Sequence, residues 1–273
     1  GIAGVHSPNP EHAKRIYDVT QLGMQIIDDM IREHDLTVPH HRRGSLEIFT
    51  HAHLADEAAE RVAAYAAVGI PLELLDGERL RELVALEGAV AAVFDPSSGH
   101  LDGVALLRAM RPVLVELGVG VYESTPVLRV EEGQRVRIVT PEAELTADTV
   151  VLATGAYTPQ LGYFRNALFP LQSHVVATAS QDSEAWREAG YPADVGFSDD
   201  LDRIAYGGMT ERGELVFGGG SNAAYSYLFG GRTRHKEPPV RGYEAVERTL
   251  ARYLPKVGSM PIAHRWTGTL GIT

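Results

Sequence analysis

Residues 214–225 read Glu-Leu-Val-Phe-Gly-Gly-Gly-Ser-Asn-Ala-Ala-Tyr. An apolar run ends at Val216 and Phe217, and Gly218, Gly220 and Ala223 then match the G-x-G-x-x-A spacing of a dinucleotide-binding turn. Such a turn needs a strand before it, a helix opening at its end, and an acidic residue about 20 positions later. The strand is legible. The helix is not, because the segment from Tyr225 to Gly231 carries aromatics and a glycine pair but neither a helical stripe nor a cap. Around position 240 stands Pro238-Pro239-Val240, not an acid after a strand. The competing reading is a strand end, where glycines permit bends or a close backbone approach to a ligand or to another strand.

The rest of the chain supports a sheet here. Asn9-Pro10-Glu11 combines a capping side chain, a first-turn proline and an acid at the positive end of the dipole, which predicts a helix start. Ile16, Val19, Leu22, Ile26 and Met30 carry helical spacing on to about His34. Ser45–Thr50 alternates like a strand, and 54–68 reads as an Ala-rich helix closed by Gly69 and Pro71. A short helix over 78–84 and a strand over 89–94 follow, the latter broken by Asp95-Pro96-Ser97-Ser98-Gly99. Asp102 can cap a helix to Leu117, with Pro112 inside it and Gly118 just past its end. Strands are expected at 119–123, 126–130, 135–140 and 145–153, then at 171–179, 203–207, 214–217 and 261–266, with one helix over about 240–254. Helix–strand alternation dominates the first half and antiparallel sheet the second. That is a mixed α/β (α+β) chain with two sub-domains whose segments cross between them.

Composition narrows the function classes. A chain of 273 residues is long enough for one large domain or two interleaved ones. Its formal net charge is −11 with no Lys/Arg run, which argues against nucleic-acid partners. No apolar stretch approaches the roughly 20 residues of a membrane helix, so no membrane partner is expected. The absence of cysteine removes disulfides, thiolate ligands and cysteine nucleophiles, and fits a cytoplasmic location. The chain begins at Gly1 without Met and stops at Thr273 without a polar tail, so both ends read as cuts through structured regions.

A second stretch carries more information. Ala147-Asp-Thr-Val-Val-Leu-Ala-Thr-Gly-Ala-Tyr-Thr158 is an apolar strand ending in Ala-Thr-Gly, where small residues let a bulky group approach the backbone. Upstream lies Glu123-Ser-Thr-Pro-Val-Leu-Arg-Val130 and a hairpin. Downstream lie Tyr206-Gly-Gly-Met-Thr-Glu-Arg-Gly213, the Phe-Gly-Gly-Gly stretch, and His264-Arg-Trp-Thr-Gly-Thr269. In this order the pieces resemble the D-amino-acid oxidase-like family of flavoenzymes, which includes glycine, sarcosine and γ-glutamylputrescine oxidases. The resemblance spans nearly all of the chain. It implies a partial FAD-binding Rossmann-like domain (1–38, 100–165 and 266–273) interleaved with an antiparallel-sheet substrate-binding domain (39–99 and 166–265). It also places Phe217–Gly220 at a strand end of the substrate sheet, and the true phosphate turn before residue 1. In the family the chain also continues past the Trp-x-Gly segment, so this sequence resembles a piece truncated at both ends.

The resemblance further implies FAD, held without a cysteinyl bond, and oxidation of a C–N bond of a small amine or amino acid by hydride transfer, with O2 or another acceptor reoxidising the flavin. Ala3, Gly4 and Val5 would approach the flavin, Val127 would meet the adenine through its backbone, and Ala153, Thr154 and Gly155 would line the cofactor's path. Trp266 and Gly268 would sit beside the ring, and Tyr206 would face the substrate. Where glycine oxidase-like members carry a carboxylate-clamping Arg, two residues after the Gly of Trp-x-Gly, this chain has Leu270, which cannot form a bidentate pair. Arg265 and His174 are the candidate substitutes, and the family's Pro-Arg pair after the tyrosine is replaced by Met209-Thr210. The alternative reading is a catalytically inactive fragment without the phosphate-binding motif, acting as a folded or associating domain, and a homo-oligomer is an expected form of it.

Remaining candidates read as structural. His40-His41 and His51-x-His53 offer histidine pairs but no identifiable third ligand, so no metal is expected. His100 and His264 read as hydrogen-bonded histidines, and Arg232, Arg234, His235 and Lys236 as a solvated loop.

Overall fold

The computed structural model describes residues 9–200, 204–228 and 239–273. The first helix, α1 (Pro10–Glu33), opens where expected: the Asn9 side chain accepts from the Glu11 and His12 backbone N–H groups. Two histidines form the short strand β1 (His40–His41), and β2 (Ser45–Phe49) leads into α2 (Ala52–Ala66). Strand β3 (Glu73–Asp76) runs into α3 (Gly77–Leu83), whose start Asp76 caps. Strand β4 (Ala91–Asp95) ends in a turn in which the Asp95 carboxylate accepts from Ser97 and Ser98. Strand β5 (His100–Leu101) pairs with β1, and α4 (Gly103–Glu116) follows with Asp102 as its cap.

A three-stranded meander comes next: β6 (Arg129–Glu131), β7 (Val136–Val139) and β8 (Glu144–Ala147). After a 3-10 turn over Gly155–Leu161 the chain enters its longest strands. These elements are β9 (Phe169–Thr178), α5 (Ser183–Glu188), β10 (Gly196–Asp199), β11 (Ala205–Met209), β12 (Leu215–Gly219) and β13 (Tyr225–Tyr227). Helices α6 (Val240–Tyr253) and α7 (Pro255–Gly258) precede the final strand, β14 (Ile262–Ile272).

Nine of these strands form one sheet in the order β13-β9-β12-β11-β10-β2-β4-β3, with β14 also on β9. Because β14 follows β9 over its full length, β12 and β13 share the other edge of β9 end to end. Every pairing is antiparallel except β10 with β2. One face of this sheet carries the main core, in which Phe217, Val176, Leu215 and Ala205 pack with Val246 and Leu250 of α6. A second cluster forms where α1 and α2 cover β2 and β4, with Ala13, Tyr17, Phe49, Tyr65 and Val93 buried together. The mixed α/β architecture expected from the sequence is present.

One expected strand did not form, and another formed only in its first part. Residues 119–123 and 148–153 have no strand assignment, and β8 stops at Ala147. Both stretches have strand-like composition, but no described segment pairs with them, and a strand exists only as part of a ladder.

Candidate active site

The Phe217-Gly218-Gly219-Gly220 stretch is a strand end. Gly219 and Gly220 have φ of +77° and +82°, a region that favours glycine. Gly218 has a different task. It lies directly across the ladder from Tyr206, and a Cβ there would stand 2.5 Å from the tyrosine ring. The missing side chain lets that ring lie over β12 and reach Ser173 of β9, with 2.8 Å between the two hydroxyl oxygens.

Register decides what else shares this face. Residues directly opposite in a ladder point to the same side, and alternate residues of a strand point to opposite sides. Tyr206 opposes Gly218, Gly218 opposes Val175, and Val175 opposes Trp266. One row of the sheet therefore reads Tyr206, Gly218, Val175, Trp266. In the next row Ser173 stands between Tyr225 and Gly268, and beyond it Leu171 opposes Leu270. Trp266 is 40% exposed, and nothing lies within 4 Å of a Cβ built on Gly268. The face thus offers an aromatic ring beside bare backbone. Burial raises the Tyr206 phenol above its usual pKa, partly offset by the Ser173 bond, so it is a neutral donor at physiological pH.

His174 and Arg265 fall on the opposite face, with Val176 and Phe217. His174 is fully buried, its Nε2 lies 3.0 Å from the Ser226 hydroxyl, and its ring meets that of Tyr243 at 5.7 Å. A Cβ on Gly242 would stand 2.2 Å from that ring, so α6 closes directly over it. Arg265 Nε donates to Glu247 of α6 at 2.6 Å.

The other sequence-derived positions lie apart from the Tyr206 row. Thr154 and Thr158 share a hydroxyl–hydroxyl bond of 2.8 Å at the 3-10 turn, and Gly155 has φ of +49° with open space at its Cα. This turn packs on the end of β14, where a Cβ on Gly271 would stand 3.2 Å from the Ala156 N atom. Ala153 is exposed beside the turn, and Val127 is 39% exposed next to the meander. Ala3, Gly4 and Val5, and the basic residues 232–236, lie outside the described residues. Sequence reasoning did not single out Ser173, Gly218 as a seat for the tyrosine, or His100 as a neighbour of this face. Gly218 was visible in the quoted motif, but its partner became visible only with the β11–β12 register.

A sequence model described as FAD dependent oxidoreductase matches residues 1–272. The chain belongs to this family. Among curated relatives, probable oxidoreductase OrdL of Rhizobium meliloti (strain 1021) is 24% identical over 271 residues, covering 96% of this chain and 59% of the relative. A D-amino acid dehydrogenase of Rhizobium rhizogenes is 34% identical over 126 residues, covering 44% of this chain and 30% of its own. The gamma-glutamylputrescine oxidoreductase of Escherichia coli K12 is 25% identical over 207 residues, covering 74% and 45%. The chain thus spans well under two thirds of these relatives' length. Among solved structures, glycine oxidase from Geobacillus kaustophilus superposes with a TM-score of 0.78 at 16% identity, covering 99% of this chain and 70% of that one. As in the family, the fold is that of an FAD-dependent oxidoreductase. Among the described residues no helix is long and apolar enough to cross a membrane.

The residues present fit a flavin in one respect. Gly155 and Gly268 both leave open space where a side chain would stand, and Trp266 offers an exposed ring close to Gly268. Flat aromatic groups need such bare backbone to approach.

Proposed function

We propose that the chain carries the substrate sheet and part of the cofactor domain of an enzyme that oxidises the C–N bond of a small amine or amino acid. The supporting observation is the Tyr206–Gly218–Val175–Trp266 row, buried in its middle, with a neutral, half-buried phenol at one end and an exposed indole at the other. FAD, when bound, supplies the acceptor for the two electrons removed from the substrate. Trp266, Gly268, Thr154 and Gly155 would hold it in this chain.

The chain's own residues then position the substrate. Tyr206 stays protonated, so its hydroxyl can donate to a substrate lone pair or accept from an N–H, with Ser173 fixing its orientation. An amine must be neutral to give up hydride from the adjacent carbon, and burial disfavours the charged form. Leu270 lies two residues beyond Gly268 on the same face and offers no charge. Arg265 and His174, on the far side and tied to Glu247 and Ser226, act through the sheet as positioning residues for Trp266 and Ser173. This favours an amine over a substrate clamped by its carboxylate at this point. O2 or another acceptor would complete the cycle.

A second reading has its own observation. Leu107 and Val151 are 71% and 83% exposed, so the chain alone presents apolar surface suited to association. On that reading it folds and associates but does not turn over.

The visible spectrum separates the two. FAD is added to the purified chain and the excess removed by gel filtration. Retained absorbance near ~450 nm that bleaches anaerobically with amines supports the enzyme reading. Retained absorbance that no amine or D- or L-amino acid bleaches, or no retained flavin, supports the second.

A further inference from the structure

The geometry points to a zinc-class metal site built from His41, His100 and Asp194, beside the Tyr206 face. One ligand atom from each of the three lies within 4.8 Å of the others. The site joins three distant parts of the sequence. The β1–β5 ladder sets His41 directly opposite His100, with ring centroids 5.2 Å apart. Asp194 arrives from the segment just before β10, and its Oδ2 lies 3.3 Å from His41 Nε2. Two atoms each about 2.0–2.2 Å from a zinc ion stand roughly 3.3 Å apart at the tetrahedral angle, so this spacing is already that of two ligands.

Three further observations favour a ligand over a plain ion pair. His41 Nδ1 and Asp194 Oδ1 are both buried without a hydrogen-bond partner. Buried polar atoms are nearly always satisfied; these are the second atoms of side chains whose Nε2 and Oδ2 face each other, so the protein alone leaves part of each side chain's bonding capacity unmet. Next, the His100 ring is fixed by the sheet: a Cβ on Gly196 would stand 2.0 Å from its Nε2, and one on Gly208 2.5 Å from its Cε1. Two glycines on neighbouring strands make room for this one imidazole. Finally, the Met209 backbone bonds the His100 ring, and an imidazole with one nitrogen held by backbone has the other oriented for a ligand.

The donor set of two imidazoles and one carboxylate matches zinc and its first-row neighbours. Arg43 pairs with the Asp194 Oδ2 and orients that carboxylate from outside. With three protein ligands, a fourth position stays open to water or to an anionic group. Gly208, on which His100 rests, is two residues from Tyr206 on the same face of β11. The open position would therefore adjoin the substrate face.

Zinc binding by the chain, measured by competition with a chromophoric chelator at neutral pH, should show one site. His100→Ala and Asp194→Asn should each weaken it at least about 100-fold, and His51→Ala should not. A second measurement needs no variant: zinc should slow diethyl pyrocarbonate modification of His41 and His100 about tenfold or more, and leave His51 and His53 unchanged. No stoichiometric zinc, equal affinity in the Asp194→Asn protein, or unprotected His41 and His100 would each overturn the proposal, even if the chain holds flavin and oxidises amines.

Discussion

Helices α4 and α6 have 14 residues each, and their fates differ. Helix α6 buries Ala245, Val246, Thr249, Leu250 and Tyr253 against the large sheet, while α4, the more apolar of the two, buries nothing. The same contrast divides the regions around them. Residues 39–99 and 166–265 enclose the main core, where Phe217 and Val246 are 0% exposed. Residues 100–165 leave Leu107, Leu117, Tyr122, Leu128 and Val151 open. An apolar stripe shows that a helix face is suited to burial, but only the topology decides whether the same chain covers it. Helix α1 straddles the divide, with Ala13, Tyr17 and Ile31 buried and Val19, Leu22 and Ile26 exposed.

The largest effect should come from the covered region. Phe217→Ala removes a fully buried ring that meets Phe197 at 6.1 Å and should cost about 3–5 kcal/mol in urea unfolding. A loss below about 1 kcal/mol would mean that this core can collapse around the gap, and the contrast between the regions would weaken.

Next comes Gly218→Val, in the same strand but on the other face. Its side chain must displace Tyr206 from Ser173, since even a Cβ stands 2.5 Å from the ring. The expected cost is about 2–3 kcal/mol of overpacking, with loss of any amine turnover. Gly218→Val with unchanged stability and unchanged Tyr206 fluorescence or turnover would show that the ring does not need the glycine.

A third test concerns charge buried in the covered region. Glu47 on β2 pairs with Arg61 of α2, yet burial outweighs that partner, and its pKa is pushed up to about 7. A carboxyl raised in the folded state is protonated there while the unfolded chain ionises from about pH 4.5. Stability from this group is therefore full below about pH 4.5 and declines until about pH 7, a change on the order of 3 kcal/mol. Glu47→Gln should flatten that part of the stability–pH curve, read from urea midpoints at several pH values. A variant with the wild-type slope would mean that Arg61 keeps Glu47 ionised throughout.

What the sequence made legible follows the same divide between local and non-local signals. Asn9 and Asp102 announced their helices, and the alternation of Ser45–Thr50 announced β2. Helix α5 was not read from the sequence: Asp182 caps it in the pattern seen at Asp102, with Glu184 in its first turn, but a six-residue helix has too few turns to show a stripe. Pairing was not readable. Nothing local says that Gly196–Asp199 lies parallel to β2, or that His41 meets His100, because register depends on the distant partner. For the candidate site, the resemblance supplied Tyr206 and Trp266. That they share a face, and that His174 and Arg265 lie behind it, required the order of β11, β12, β9 and β14.

The smallest expected effect sharpens the comparison most. Leu107→Ala in α4 truncates a side chain that is 71% exposed, where Phe217→Ala truncates one that is 0% exposed. Burial sets the cost of such changes, and alanine is the better helix former, so stability should shift by no more than about 0.5 kcal/mol. The measurement belongs at two protein concentrations, with the molecular mass followed by sedimentation. If the substitution costs about 2 kcal/mol or more, the α4 face is covered in solution after all. A cost that grows with concentration would then identify a second copy of the chain as the cover, since association stabilises by mass action. A cost independent of concentration would instead place the cover within the same chain, and α4 would join α6 as a packed helix.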